Sequence, residues 1–480
     1  MTASQPHHFL SHRTSETCVN LLLSQAFRSV TVWMVFVMVE HRVVQYVYQR
    51  GKTKKPQNLL VRIDLRIRLM KKILRLIMRK LVFTLIAFML VSPVANAAVK
   101  WKNPGEKDVG EVKLWSGHSR IPESYNPNLA TVRAHFDIYN KRGVPRDEKF
   151  ASNPSKNLTQ LSFDTKPSSI IQKELERSFL ASYIMYEKGN IVIDEKSPDQ
   201  RLGDLFDNDT LLYSMSMGKS LGGYLMGHAI CRGYVKSVDQ KLSDWPLVEN
   251  TLLSEITVRD VLNSTMGDQK YRNLKPEYFK LTKRDPGDVA ISNVVFKDLK
   301  ASKPGKKIFA YGQFPANVAW NYISFKTSYK FKDFLDDVMQ NHIGLENTLK
   351  VNASSVPEEY GPLQSNFKAT RYDTLRIGIA ILKDWKEDTC VGKFLKDIYK
   401  SKVKKGRHNT GDGFSQSYAG FFHTDYPNVK DTVMGMDGYG GIALLINFDD
   451  ERIIYAHAIH RNYNYKKIVT KAIKDGKFSN

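Results

Sequence analysis

The chain has 480 residues, 42% hydrophobic and 25% charged, enough to bury one large core or two smaller ones, and a disordered protein is excluded. Its formal net charge is +23, but about half of that excess precedes residue 98, where about 15 Lys and Arg face about 3 acidic residues. The remainder is spread through segments such as 297–307 and 396–407, with no zinc-finger, helix-turn-helix or RNA-binding signature. It reads as solvated surface and argues against nucleic acid as a partner.

In chain order, the first organised feature is a leader. Met70-Lys71-Lys72 through Arg79-Lys80 forms a basic region, 81–91 an apolar core and Ala95-Asn96-Ala97 a small-x-small cleavage site, the pattern of a secretory signal peptide over 70–97. That core, and the earlier run 30–39 ended by Glu40, His41 and Arg42, are both shorter than the ~20 residues a spanning helix needs. Residues 1–69 read as an extension upstream of a start at Met70. The mature chain is expected to begin at Ala98, exported from a bacterial cytoplasm and periplasmic or secreted, with no stable transmembrane anchor. Of three cysteines, Cys18 falls in the leader, so Cys231 and Cys390 reach an oxidising compartment, where a disulfide and two buried thiols are both open. No Cys/His cluster has metal-ligand spacing, and no metal or organic cofactor is expected.

Residues 98–174 read as an irregular lead-in rich in Pro, Asn, Lys and Gly, with one helix over 129–141. Two β-prone runs at 179–186 and 191–194 flank Lys188-Gly189-Asn190, a hairpin signal with Gly-Asn at the turn. An apolar run then gives way at Ser216-Met217-Gly218-Lys219 to a helical pattern over 216–232, ended by Gly233. A serine needs a neighbour to take its proton, and a lysine three residues on in a helix stands on the same face. At the helix start the serine N–H is also available to a developing oxyanion. Gly218, Gly222, Gly223 and Gly227 each cost the helix up to ~1 kcal/mol relative to Ala, which predicts a helix closely packed inside the protein.

Thr257, with Asp260 three residues later, opens another helix. Pro304-Gly305 marks a turn, and helices are expected over 316–325, 331–340 and 373–385. Strands return at 442–448 and 452–460, and a helix over 465–474 closes the chain. Strands first and last with helices between predict an α+β fold: an antiparallel sheet flanked by helices, with a mainly helical inserted region.

Read together, these landmarks place the chain near a known family. In their order they resemble the serine β-lactamase and penicillin-binding superfamily, in particular the class C-like branch of 6-aminohexanoate-dimer hydrolases and esterases. Ser216-Met217-Gly218-Lys219 matches its SxxK. Residues 256–267, Pro304-Gly305 with Phe309-Ala310-Tyr311, 343–348 and Thr370-Arg371-Tyr372-Asp373 match its further landmarks, and the resemblance covers about 175–480. It implies a β-lactamase/transpeptidase-like fold and a serine hydrolase of small-molecule amides or esters acting through an acyl-enzyme. Ser216 would be the nucleophile, Lys219 the base or the group that holds Tyr311 as a phenolate, and the N–H groups of Ser216 and Ile442 the oxyanion hole. Two departures stand out. Tyr311-Gly312-Gln313 has Gln313 where the family has Asn, and Gly438-Tyr439-Gly440-Gly441-Ile442 has Tyr439 where Lys or His holds a substrate carboxylate. Gly440 and Gly441 fit a backbone that closely approaches the acyl group.

Three alternatives stay open: a D-amino-acid peptidase acting on peptidoglycan, a β-lactamase, which the loss of that cation weakens, and an inactive β-lactamase-like binding protein, of which both departures would be the traces. Ser214-Met215-Ser216-Met217-Gly218 approaches the G-x-S-x-G elbow of α/β-hydrolases, but its first Gly is missing and one hairpin precedes it where that fold needs several β-α-β units. His228, twelve residues along the helix and ~18 Å from Ser216, is read as structural or on the surface, and His457 and His460 as structural.

Overall fold

In this computed structural model the residues described are 99–100, 111–112, 150–198, 206–272, 290–406, 415–458 and 468–476, all within the compact unit Ala95–Asn480. The expected signal peptide at 70–97, the extension 1–69, the helix 129–141 and His460 lie outside them. The path begins with β1 (Val99–Lys100) and β2 (Glu111–Val112), paired with each other, then β3 (Ser162–Phe163), α1 (Ser169–Arg177) and the hairpin β4 (Leu180–Glu187) and β5 (Asn190–Lys196). The turn of that hairpin is Lys188-Gly189, both at positive φ, so Asn190 opens β5 rather than occupying the turn. Next come β6 (Leu212–Tyr213), α2 (Met217–Cys231), α3 (Val258–Leu262), α4 (Gln313–Lys326), β7 (Lys350–Ala353), β8 (Leu363–Ala369), α5 (Arg371–Lys386) and α6 (Cys390–Lys400). The chain returns through β9 (Val403–Lys404), β10 (Ser417–Ala419), β11 (Phe422–Thr424), β12 (Val433–Gly438), β13 (Ile442–Asn447) and β14 (Arg452–Ala458) to α7 (Thr470–Asp475).

Among the described residues, nine strands form one sheet in the order β3-β5-β4-β14-β13-β12-β11-β10-β9. The two terminal hairpins meet at β4 and β14, as expected, with Ile454 opposite Met185. The sheet is not wholly antiparallel, because β3 pairs parallel to β5 through Ser162 and Phe163. Side chains alternate between its two faces. On β13 and β14, Ile442, Leu444, Ile446, Ile453 and Tyr455 enter the larger core, which also holds α2, α4 and α5. Ala443, Leu445, Ile454, Ala456 and Ala458 enter a smaller core with Ile171, Leu175 and Ile473 of α1 and α7.

α2 is buried from Met217 to Ala229, and its glycines are where its neighbours touch it. A Cβ on Gly218 would stand 2.2 Å from the Ser365 carbonyl oxygen, on Gly222 2.2 Å from Trp320 Nε1, and on Gly223 2.1 Å from the Gly420 carbonyl oxygen. The helical propensity lost to glycine is thus exchanged for close approach of β8, α4 and the β10–β11 turn. At the far end of the helix Cys231 is bonded to Cys390, the first residue of α6. Within the helical region lies a three-stranded antiparallel sheet, β6-β8-β7, that the sequence pattern did not announce. The reason is its centre: all of β8 is buried, yet Gln364, Ser365, Asn366 and Lys368 give it no apolar alternation.

Candidate active site

β6 ends in a sharp turn at Met215, which sits at φ 49° in the left-handed region, and this turn delivers Ser216 as the N-cap residue of α2. One helical turn on, Lys219 is 3% exposed, and its Nζ lies 2.8 Å from Ser216 Oγ and 2.6 Å from Gln313 Oε1. Burial lowers the amine to about 7. At neutral pH a large share of Lys219 is therefore uncharged, able to donate one N–H to Gln313 while its lone pair faces the serine hydroxyl.

Gln313, the first residue of α4, is held in turn. Its Nε2 donates to Asn317 Oδ1 at 3.2 Å and to Ser365 Oγ, while the Ser365 N–H donates to the same Asn317 oxygen at 2.9 Å. The extra methylene relative to Asn is thus fixed by β8 and by the next turn of α4. This helix starts three residues earlier than expected, because Pro315 falls in the first turn, where no intrahelical N–H is needed.

Tyr311 does not come from a helix. It lies in the extended segment before α4, with its ring centroid 5.1 Å from Lys219 Nζ. The sequence landmarks around it prove to be one joint. The Ala310 N–H donates to the Ser264 carbonyl at 2.9 Å and the Gly305 N–H to the Gly267 carbonyl at 2.7 Å, tying the Phe309-Ala310-Tyr311 stretch to the loop after α3. The two later landmarks form a second joint, in which Asp373 accepts from the N–H groups of Glu346 and Asn347 at 2.8 and 2.9 Å.

The third motif closes the site from the sheet. Tyr439-Gly440-Gly441 is the loop joining β12 to β13, where Gly438 pairs with Ile442, and Gly440 and Gly441 adopt φ 103° and 86°. A Cβ on Gly438 would stand 2.7 Å from the Ser214 carbonyl oxygen and 3.2 Å from the Met215 side chain, so this end of β12 lies against the turn that presents Ser216. Tyr439 is 40% exposed.

A buried polar group behind Tyr311 escaped the sequence. Lys405, Ser415 and His423 touch one another, with Lys405 Nζ 2.7 Å from His423 Nδ1, and the His423 ring lies 6.1 Å from that of Tyr311. Its members come from separate strands and loops, so no spacing could reveal it. The histidines that were singled out stand apart. His457 is buried on β14, pushed down to about 3 by burial, with its Nδ1 beside Tyr455 Oη at 3.1 Å. His228 is fully buried in α2, not on the surface.

Neither family models nor curated proteins match this chain. Solved structures do. A protein described as a 6-aminohexanoate-dimer hydrolase from Bacillus anthracis is similar at 13% identity and TM-score 0.52, covering 72% of this chain and 92% of that one. The fold is β-lactamase/transpeptidase-like. Also similar are a protein described as a β-lactamase from Bacteroides dorei (16% identity, TM-score 0.44, 62% of this chain and 90% of that one) and a penicillin-binding protein from Bacillus halodurans (13%, 0.46, 65% and 100%). Within the β-lactamase-like fold, no helix of the described residues is long and apolar enough to cross a membrane.

Proposed function

We propose that the chain is an exported serine hydrolase that cleaves a small amide or ester through a covalent acyl-enzyme on Ser216, its hydrolase domain spanning 175–480 after the leader and the 98–174 lead-in. The observation that carries this reading is the 2.8 Å approach of a buried Lys219 amine, lowered to about 7, to the Ser216 hydroxyl. Ser216 Oγ attacks the carbonyl carbon as its proton passes to Lys219 Nζ. The N–H groups of Ser216 and Ile442 receive the oxyanion. The adduct collapses, the bond to the leaving amine or alcohol breaks, and the proton reaches that group from Lys219, directly or through Tyr311. Water then repeats the sequence on the ester and frees the serine.

Gln313 holds Lys219, and Tyr439, Gly440 and Gly441 edge the acyl pocket. Tyr439 supplies no cation for a substrate carboxylate, which favours a neutral amide or ester over a β-lactam or a peptidoglycan peptide. The test is reaction with a fluorophosphonate probe followed by peptide mass mapping. Labelling is expected at Ser216 and is abolished in Ser216→Ala. A folded wild-type protein that takes no label supports an inactive binding protein instead.

A further inference from the structure

The far end of α2 carries a second cluster of polar side chains, remote from Ser216. His228 comes from α2, His342 from the π-helical turn Asp337–Ile343, and Asp384 from α5, and one donor atom of each lies within 4.8 Å of those of the other two. His342 Nε2 is 2.9 Å from Asp384 Oδ2, the oxygen that also accepts from Tyr224 Oη. Thr389 Oγ1 donates to Asp384 Oδ1 at 2.8 Å. On the other flank Arg232 Nη1 lies 2.8 Å from His228 Nδ1, while Arg232 Nε pairs with Asp337 at 2.6 Å. Of the buried polar atoms on these three side chains, one has no hydrogen-bond partner. His228 Nε2 is buried without a hydrogen-bond partner, in a ring packed 4.5 Å from that of His342. A buried orphan nitrogen costs free energy unless something binds it.

We infer that His228, His342 and Asp384 form a binding site for a divalent transition-metal ion of the zinc type. Two imidazoles and one carboxylate suit such borderline ions, whereas magnesium and calcium take oxygen ligands. Metal bonds of ~2.0–2.2 Å place tetrahedral donors roughly 3.4 Å apart, so donors that lie up to 4.8 Å apart must close by at most about 1.4 Å. The member free to move is His342, whose side chain is 32% exposed and opens the site to solvent. Arg232 opposes binding. Its N–H at His228 Nδ1 keeps the ring proton on Nε2, so a metal at Nε2 requires the guanidinium to withdraw and the proton to move to Nδ1, with no net proton gained or lost. A water completes the fourth position.

The measurement is calorimetric titration of zinc chloride into the full chain after dialysis against a chelator, with cobalt(II) absorption as a second readout. One ion per chain is expected. His342→Ala, on an exposed side chain, and His228→Asn should each weaken it by about tenfold or more, the scale on which supporting groups of a metal site already act. Arg232→Gln should tighten it by removing the competing donor. Labelling of Ser216 should be unchanged in His342→Ala, so this proposal and the hydrolase reading stand or fall separately. Absence of a saturable site overturns the inference. So does zinc affinity that is the same in both histidine variants as in the parent, which would place the ion on other side chains.

Discussion

On the proposed mechanism, a neutral amine beside a serine hydroxyl ties turnover to pH through one group. Lys219 is lowered to about 7 by burial, and its uncharged form would be the one that accepts a proton. The rate kcat/KM should therefore rise about tenfold per pH unit below 7 and level off above it. Lys219→Ala and Tyr311→Phe should each cut turnover by about 10² or more, while His457→Ala leaves it nearly unchanged. The same burial has a cost in stability. The unfolded chain keeps a lysine pKa near 10.4, so between about 7 and 10 it binds a proton the folded protein does not, and stability rises with pH across that window. Lys219→Met should accordingly melt higher than wild type at pH 7, with an advantage that shrinks towards pH 10. A constant advantage would contradict the burial account. At this scale the sequence exposed Ser216 and Lys219, because three residues in a helix fix their meeting. It did not expose Asn317 and Ser365, which hold Gln313, because Ser365 arrives from a strand without apolar alternation.

Among the elements, α2 is the one whose glycines invert an ordinary expectation. Gly→Ala in a helix normally gains up to ~1 kcal/mol, but at Gly223 the new Cβ would stand 2.1 Å from the Gly420 carbonyl oxygen, a backbone atom that cannot rotate away. Gly223→Ala should destabilise the fold by about 1–3 kcal/mol in a denaturant titration. The four glycines were visible in the sequence as a demand for close packing, and the partners were not. The disulfide was equally open until Cys231 and Cys390 were seen at the facing ends of α2 and α6. It closes a span of 159 residues, so replacing both cysteines by Ser should cost about 2–5 kcal/mol. Ser216 labelling should survive, since the bond sits ~20 Å along the helix from Ser216. The capping box of α3 was legible for a local reason: Thr257 and Asp260 satisfy helix N–H groups within four residues, and both of its bonds are present.

For the whole molecule, the order of elements carried the fold class, since two hairpins far apart in sequence share one sheet by meeting at β4 and β14. The parallel addition of β3 and the buried β6-β8-β7 sheet were hidden, the first by its two-residue length and the second by its polar centre. On the proposed mechanism the three motifs around Ser216 make one acylating site with Lys219 as its base. The rate of fluorophosphonate labelling as a function of pH, followed in wild type and in Lys219→Ala, reads that step itself. A single modified residue, Ser216, is expected, labelled at a rate that climbs through pH 7 and falls by about 10² in the variant. Labelling at any other residue, or at Ser216 with an unchanged rate in Lys219→Ala, would contradict it.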